Sequence, residues 1–175
     1  AAVDEAEALI RTAAADGALM VSTPETSHLM EMNRTAVLAK AQFEADDVGL
    51  RRFQLLAKEL GVWLHIGSLI IKVADDKLAN RAFMIDPEGE IKARYDKLHL
   101  FDVDLPNGET YRESRLYQPG GDAVLVETPF GKVALTICYD LRFPHLYRTL
   151  SEEGASIIMV PAAFTVKTGD AHWHT

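Results

Sequence analysis

Cys138 is the only cysteine in the chain, and it ends the apolar run KVALTIC a few residues before Pro144. A strand that runs into a thiol, followed by a proline suited to the first turn of a helix, puts that thiol at a strand end near a helix N-terminus. Backbone dipoles there favour negative charge, so the expectation is a lowered thiol pKa and a nucleophile seat. The competing reading, a small buried hydrophobe, is the commoner fate of a free cysteine. A lone cysteine excludes an intramolecular disulfide, a zinc ribbon and every CxxC device.

A nucleophilic thiol needs a base for its proton and donors for the oxyanion that forms on attack. Glu25 follows the strand read at 18 to 22 through Pro24, and Lys97 closes the strand read at 91 to 97. In a parallel-type sheet the carboxyl ends of strands converge on one crevice, where Glu25, Lys97 and Cys138 could meet. Taken singly, a solvated loop acid and a solvated strand-end lysine account for Glu25 and Lys97 as well. Histidine is the more usual partner of a catalytic cysteine, and His28, His65, His99, His145, His172 and His174 are all present. Spacing singles out none of them. The terminal H-x-H of His172 and His174 could place two imidazoles on one strand face, but it has no third ligand nearby, so no metal site is read.

The elements that must position these residues follow from periodicity. Residues 3 to 15 place Val3, Ala6, Leu9, Ile10 and Ala13 near a 3.6-residue period behind early acids, an amphipathic helix closed by Asp16-Gly17. Residues 18 to 22 form a strand stopped by Pro24, and the polar stretch PETSHLMEMNR reads as a loop. Asp46 or Asp47 caps a second helix whose apolar face is Val48, Phe53, Leu55, Leu56 and Leu60, ended by Gly61. Strands over 63–72, 81–86 and 91–97 follow, the last two joined as a hairpin by DPEGE. Residues 98 to 121 read as irregular, and 123–127 with 132–137 as a further strand pair. A short helix through Leu146 and Leu150 ends at Gly154. ASIIMV at 155–160 is then a strand whose uniformly apolar run calls for cover on both faces. The pattern is a mixed α/β layered fold.

With 175 residues, 48 % hydrophobic and 25 % charged, the chain is long enough for one domain that buries about two thirds of its unfolded surface. It shows no repeat, no linker and no domain boundary. Eighteen Lys and Arg against 26 Asp and Glu give a formal net charge of −8. Without a segregated basic face this repels nucleic acid. No apolar run approaches the roughly 18 residues that span a bilayer. The first segment carries acids where a signal peptide starts basic, so a soluble cytoplasmic protein is expected. GxGxxG, GxxxxGK[ST] and HExxH are absent, which removes the usual signatures of dinucleotide, nucleotide and zinc-protease sites.

In order along the chain, ALMVSTPET around Glu25, ARYDKLHLFDVDL around Lys97, VALTICYDLRFP around Cys138 and the tract ASIIMVPAAFTVKTGDAHW resemble the nitrilase or carbon-nitrogen hydrolase superfamily. Within it the likeness is to the Nit branch, with its omega-amidases and amidases of deaminated glutathione. The resemblance implies an αββα sandwich and a Glu-Lys-Cys triad in which Cys138 attacks an amide carbon and a thioester forms. Glu25 would be the proton carrier, with Lys97 and the Tyr139 backbone N–H holding the oxyanion. Glu113 in TYRESRLYQPGG stands where the family places a second glutamate that supports the lysine and the base. Arg142 would shape the substrate end of the pocket, or else sit in a structural ion pair. The implied substrate is a small linear amide bearing a carboxylate; a nitrile or a carbamoyl compound on the same triad, or a non-catalytic module of the same fold, are the alternatives. No metal or organic cofactor is implied, no nucleic acid or membrane partner, and a homodimer or higher homo-oligomer. The chain departs from the family at His145, where relatives read Glu after RFP, and at His174, where they carry Glu after HW. The likeness covers nearly the whole chain, and what it implies is a single domain, residues 1–175, expected to lack the fold's first strand and C-terminal part.

Overall fold

The computed structural model describes residues 2–31, 33–105 and 108–173. Helix α1 (Ala2–Ala15) carries Asp4 and Glu5 in its first turn, where acids meet the positive end of the helix dipole. Strand β1 (Met20–Ser22) leads into the Glu25 loop. The stretch read as a loop gives way to helix α2 (Arg34–Lys40), capped by the Asn33 side chain, which accepts from Ala36 N at 3.0 Å. Strand β2 (Gln42–Phe43) precedes helix α3 (Val48–Leu60). Asp47 caps α3 by accepting from Leu50 N at 2.7 Å, and Gly61 closes it with φ 65°, a left-handed turn that costs glycine little.

Strands β3 (Trp63–Ala74), β4 (Lys77–Ile85) and β5 (Ile91–Asp96) form a meander. Residues 98 to 121, expected to be irregular, contain a small hairpin of β6 (Asp102–Asp104) and β7 (Thr110–Arg112). Strands β8 (Val124–Thr128) and β9 (Gly131–Leu135), helix α4 (Pro144–Glu152), strand β10 (Ile157–Met159) and helix α5 (Val166–His172) complete the order. No helix among the described residues is long and apolar enough to cross a membrane.

One sheet runs β1-β3-β4-β5 with β2 beside β3, and another runs β10-β9-β8. Two-residue periodicity sorts their side chains into layers. On one face of the first sheet Leu64, Ile66, Phe83 and Ile85 pack against Ile10 of α1 and Leu50, Phe53 and Leu56 of α3. On the other, Ala82, Met84, Ala93 and Tyr95 meet Val126, Val133, Leu135 and Ile137. The outer face of the second sheet is covered by Leu146 and Leu150 of α4, against Ala134. The layers are helix, sheet, sheet, helix, the expected αββα sandwich. Three apolar expectations fail. Leu9 and Leu55, read as inward-facing, are exposed at 67 % and 63 %, and Val48 sits outside the core in the first turn of α3. In β10, Ile157, Ile158 and Met159 are only half-buried because the strand lies at a sheet edge.

The feature that positions Glu25 is a bulge in β3. Pairing with β4 shifts register between Ile66 and Leu69. The chain after β1 is strapped onto that bulge: Gly67 N donates to Thr23 Oγ1 at 3.1 Å, Thr26 N to Ser68 Oγ at 2.8 Å and Ser27 N to Ser68 O at 3.0 Å. A Cβ on Gly67 would lie 2.1 Å from Thr23 O and 2.6 Å from Pro24 O. Glycine is required by this close backbone approach. His65, paired with Ser22 across β1 and β3, is fully buried, and its Nδ1 meets Ser22 Oγ at 2.8 Å. Burial pushes its imidazole down to about 4 from the ordinary 6.5.

Two outcomes follow. Gly67→Ala lowers stability by about 1–3 kcal/mol, read from the midpoint of urea unfolding, because the overpacked backbone must separate. For His65 the unfolded chain binds the proton first, so folded-state stability falls as pH drops from about 6.5 towards 4. Relative to His65→Gln, the wild type loses up to about 3 kcal/mol over that window, and parallel stability curves for the two would contradict this.

Candidate active site

Four chain segments bring their candidate side chains to one point. Glu25 comes from the strapped loop after β1, Lys97 from the residue just past β5, Glu113 from a 3-10 turn (Glu113–Arg115) after β7, and Cys138 from the end of the chain leaving β9. The expectation of one crevice at strand carboxyl ends holds with a correction. β1 and β5 belong to the first sheet and β9 to the second, so the groups meet across the sandwich.

Lys97 sits between two carboxylates. Its Nζ lies 3.4 Å from Glu25 Oε1, and 3.0 Å and 3.3 Å from Glu113 Oε2 and Oε1. Lys97 is 3 % exposed and Glu25 7 %, so this is a desolvated cluster in which Coulomb attraction is only weakly screened. Burial works against the lysine's charge, but Glu113 and Glu25 outweigh it and hold the ammonium above the ordinary lysine range. Glu25 is oriented from both sides: Asn80 Nδ2 donates to Oε1 and Ala163 N to Oε2, each at 2.8 Å. Glu113 is fixed by Phe101 N, which donates to Oε2 at 2.6 Å.

Cys138 opens a five-residue 3-10 helix, Cys138–Arg142. Its φ of 48° places a non-glycine residue in the left-handed region, a strain of about 1–3 kcal/mol of the kind concentrated at functional sites. Cys138 N donates to Pro161 O at 2.9 Å, which ties the turn to the loop after β10. The expected lowering of the thiol pKa does not occur. Burial pushes the thiol up to about 12 and Glu25 adds to the shift, while Lys97 and the Ala163 backbone pull weakly the other way. The physical reason is that a short 3-10 turn supplies little dipole, whereas desolvation beside a carboxylate disfavours a bare thiolate. The resting sulfur is a neutral thiol on which the charges of Glu25 and Lys97 both act.

The remaining sequence-derived residues fall around this cluster. The Tyr139 backbone N–H lies in the first turn of the 3-10 helix, where the helix itself supplies no acceptor. The Tyr139 ring meets Phe101 edge-on at 5.0 Å and Phe143 at 5.4 Å. Arg142 ends the turn, half-buried, and His145 is exposed in the first turn of α4. His172 ends α5, and His174 lies outside the described residues. Tyr117 was not singled out from sequence, yet burial and Glu113 push its phenol up to about 12, a sign of its nearness to the cluster. Asn80 and the Ala163 N–H were also missed. A polar residue inside the apolar strand LANRAFMI was the only signal for Asn80, and a backbone donor leaves none.

The family described as carbon-nitrogen hydrolase matches residues 1–175. The deaminated glutathione amidase of Yersinia enterocolitica is 42 % identical over 160 residues, which cover 90 % of this chain and 56 % of that protein. Omega-amidase NIT2 of Homo sapiens is 34 % identical over 171 residues, 98 % of this chain and 61 % of that one. The crystal structure of the C. elegans NitFhit protein superposes with a TM-score of 0.90 at 32 % identity, covering 98 % of this chain and 42 % of that chain. The chain thus spans somewhat more than half the length of these two curated relatives.

A thiol held near 12 predicts that alkylation of Cys138 by iodoacetamide speeds up about tenfold per pH unit from pH 7 to 10 with no plateau. A plateau beginning near neutral pH would mean a preformed thiolate and contradict the electrostatics described here.

Proposed function

Since the chain belongs to the carbon-nitrogen hydrolase family, we propose that it carries the catalytic cluster of a cysteine-dependent amidase that hydrolyses a small linear amide bearing a carboxylate. The observation that carries this reading is the Lys97 ammonium within 3.4 Å of Glu25 and 3.0 Å of Glu113, with the Cys138 thiol near enough for the charges of Glu25 and Lys97 to act on it. The amide class is supported by the names of the relatives, deaminated glutathione amidase and omega-amidase. A carboxylate-bearing substrate is in keeping with glutathione chemistry.

In this reading Glu25 takes the Cys138 proton as the sulfur attacks the carbonyl carbon. The transfer converts a thiol and a carboxylate into a sulfur nucleophile and a carboxylic acid. The charge of the buried cluster is conserved, and no free thiolate has to be accommodated. The C=O electron pair moves onto oxygen, and Lys97 Nζ with the Tyr139 N–H stabilises that oxyanion. Collapse breaks the C–N bond, and Glu25 returns the proton to the departing nitrogen, leaving a thioester on Cys138. Glu25 then takes a proton from water. The hydroxide oxygen adds to the thioester carbon, and the second collapse releases the acid as the thiol is reprotonated. Glu113 acts on Lys97, keeping it charged and aimed. Arg142 and Tyr139 line the substrate end.

Ammonia release across short amides, nitriles and carbamoyl compounds tests the class, with amides expected to turn over fastest. Cys138→Ala is expected to cut turnover by at least about 10⁴-fold while leaving the unfolding midpoint within about 1 kcal/mol of wild type. Retained turnover in that variant would remove the mechanism. Glu25→Gln keeps the shape but not the base and is expected to lower kcat by about 10²–10⁴-fold.

A further inference from the structure

Asp140 is completely buried, at 0 % exposure. Its carboxylate accepts hydrogen bonds from three places. Oδ2 accepts from Tyr95 OH at 2.6 Å and from Ile137 N at 2.8 Å. Oδ1 accepts from His99 N at 3.0 Å and, with the proton on that nitrogen, from His99 Nδ1 at 2.8 Å. Four donors fill the acceptor capacity of a carboxylate. The donors are not scattered. Tyr95 and His99 stand two residues before and two after Lys97, and Ile137 immediately precedes Cys138.

A residue that only capped the 3-10 turn would need the Ile137 N bond alone. The Tyr95 and His99 bonds reach β5 and the chain just past it and do nothing for that cap. They fix the segment that carries the ammonium relative to the segment that carries the sulfur. The Tyr95 oxygen also receives Leu98 N at 3.4 Å, which ties it to the residue after the lysine. The other end of the nucleophile turn is held as well, because His99 stacks on Phe143 with ring centroids 3.6 Å apart and planes 11° from parallel. Among the described residues, Asp140 bonds directly to both sides of the sandwich beside the reacting groups.

We propose that Asp140 is a positioning residue: by bonding both flanks of Lys97 and the residue before Cys138, it sets the ammonium-to-sulfur geometry on which acyl transfer depends, without touching substrate. This rests on the amidase reading for its kinetic consequence only. Misplacement by about 1 Å at a reacting centre is enough to cost about 10²-fold in rate, and one carboxylate with fixed donors prevents it.

The test is a double-mutant cycle read by iodoacetamide alkylation of Cys138 at pH 9, alongside kcat and KM for a short amide. Tyr95→Phe deletes one hydroxyl, and Asp140→Asn swaps an acceptor for a donor. Each is made alone and with Lys97→Met. Each single variant is expected to lower kcat about 10- to 100-fold with KM within about threefold. Each is also expected to slow alkylation about three- to tenfold, because the ammonium that favours the charged sulfur is no longer aimed. With Lys97→Met present the same substitutions are expected to change alkylation by less than about twofold. An equal loss with and without the lysine, or unchanged alkylation in folded Tyr95→Phe, overturns the proposal. Should Asp140→Asn fail to fold, Tyr95→Phe decides alone. Should no amide be turned over, the alkylation cycle still reads the brace, so failure of the amidase reading is separable from failure of this one.

Discussion

One buried ammonium between two carboxylates governs the rest of this molecule. Lys97 lies 3.0 Å from Glu113 and 3.4 Å from Glu25, and removing the ammonium would leave two buried carboxylates with no cation between them. Burying an ion costs several kcal/mol unless it is paired and hydrogen-bonded. The surroundings accordingly supply further donors to the acids: Asn80 and Ala163 N to Glu25, and Phe101 N to Glu113. A thiol placed against this cluster is held protonated, and its proton can move to Glu25 without changing the total charge. On the proposed reading, the same electrostatics that make the sulfur quiet at rest favour proton transfer to Glu25 in concert with attack.

The fold exists to bring together residues remote in sequence. Glu25 and Cys138 follow strands of different sheets, which pack on each other through Met84, Tyr95, Val133 and Leu135. Three devices carry the positioning. The bulge of β3 admits the Glu25 loop only because residue 67 has no side chain. The Pro161 carbonyl fastens the nucleophile turn to the chain after β10. Asp140 links the lysine segment to the cysteine segment. Each costs stability somewhere, most plainly in the left-handed backbone of Cys138, and the well-packed layers on both sides offset that cost.

Much of this was legible in the sequence, for identifiable reasons. Cys138 and Glu25 follow apolar segments and Lys97 an alternating one, and period-two and period-3.6 patterning exposed those segments along with α1, α3 and α4. Glu113 was legible only through likeness to the family, since a glutamate in an irregular stretch looks like any solvated acid. Helix α2 begins where the polar stretch ends and was not read, because seven residues give barely two turns of periodicity, and its signal, Asn33 as a cap, is visible only once the helix is known. Asn80, Ala163 N and the Asp140 network were not legible, because hydrogen bonds between residues far apart in sequence leave no periodic trace. The helix-dipole argument for a thiolate gave the wrong sign: sequence cannot show that the helix is a single 3-10 turn or that burial exceeds its field. The apolar run at β10 called for two covered faces, and the strand lies half-buried at an edge.

The most direct test of the cluster as a single catalytic unit is acid-quenched peptide mass mapping of the chain after brief mixing with a short carboxylate-bearing amide. The structure predicts the acyl mass on the peptide containing Cys138 in wild type, and its loss in a folded Lys97→Met variant. An adduct on another residue, or equal acylation of Cys138 without the lysine, would contradict the central role of that buried ammonium.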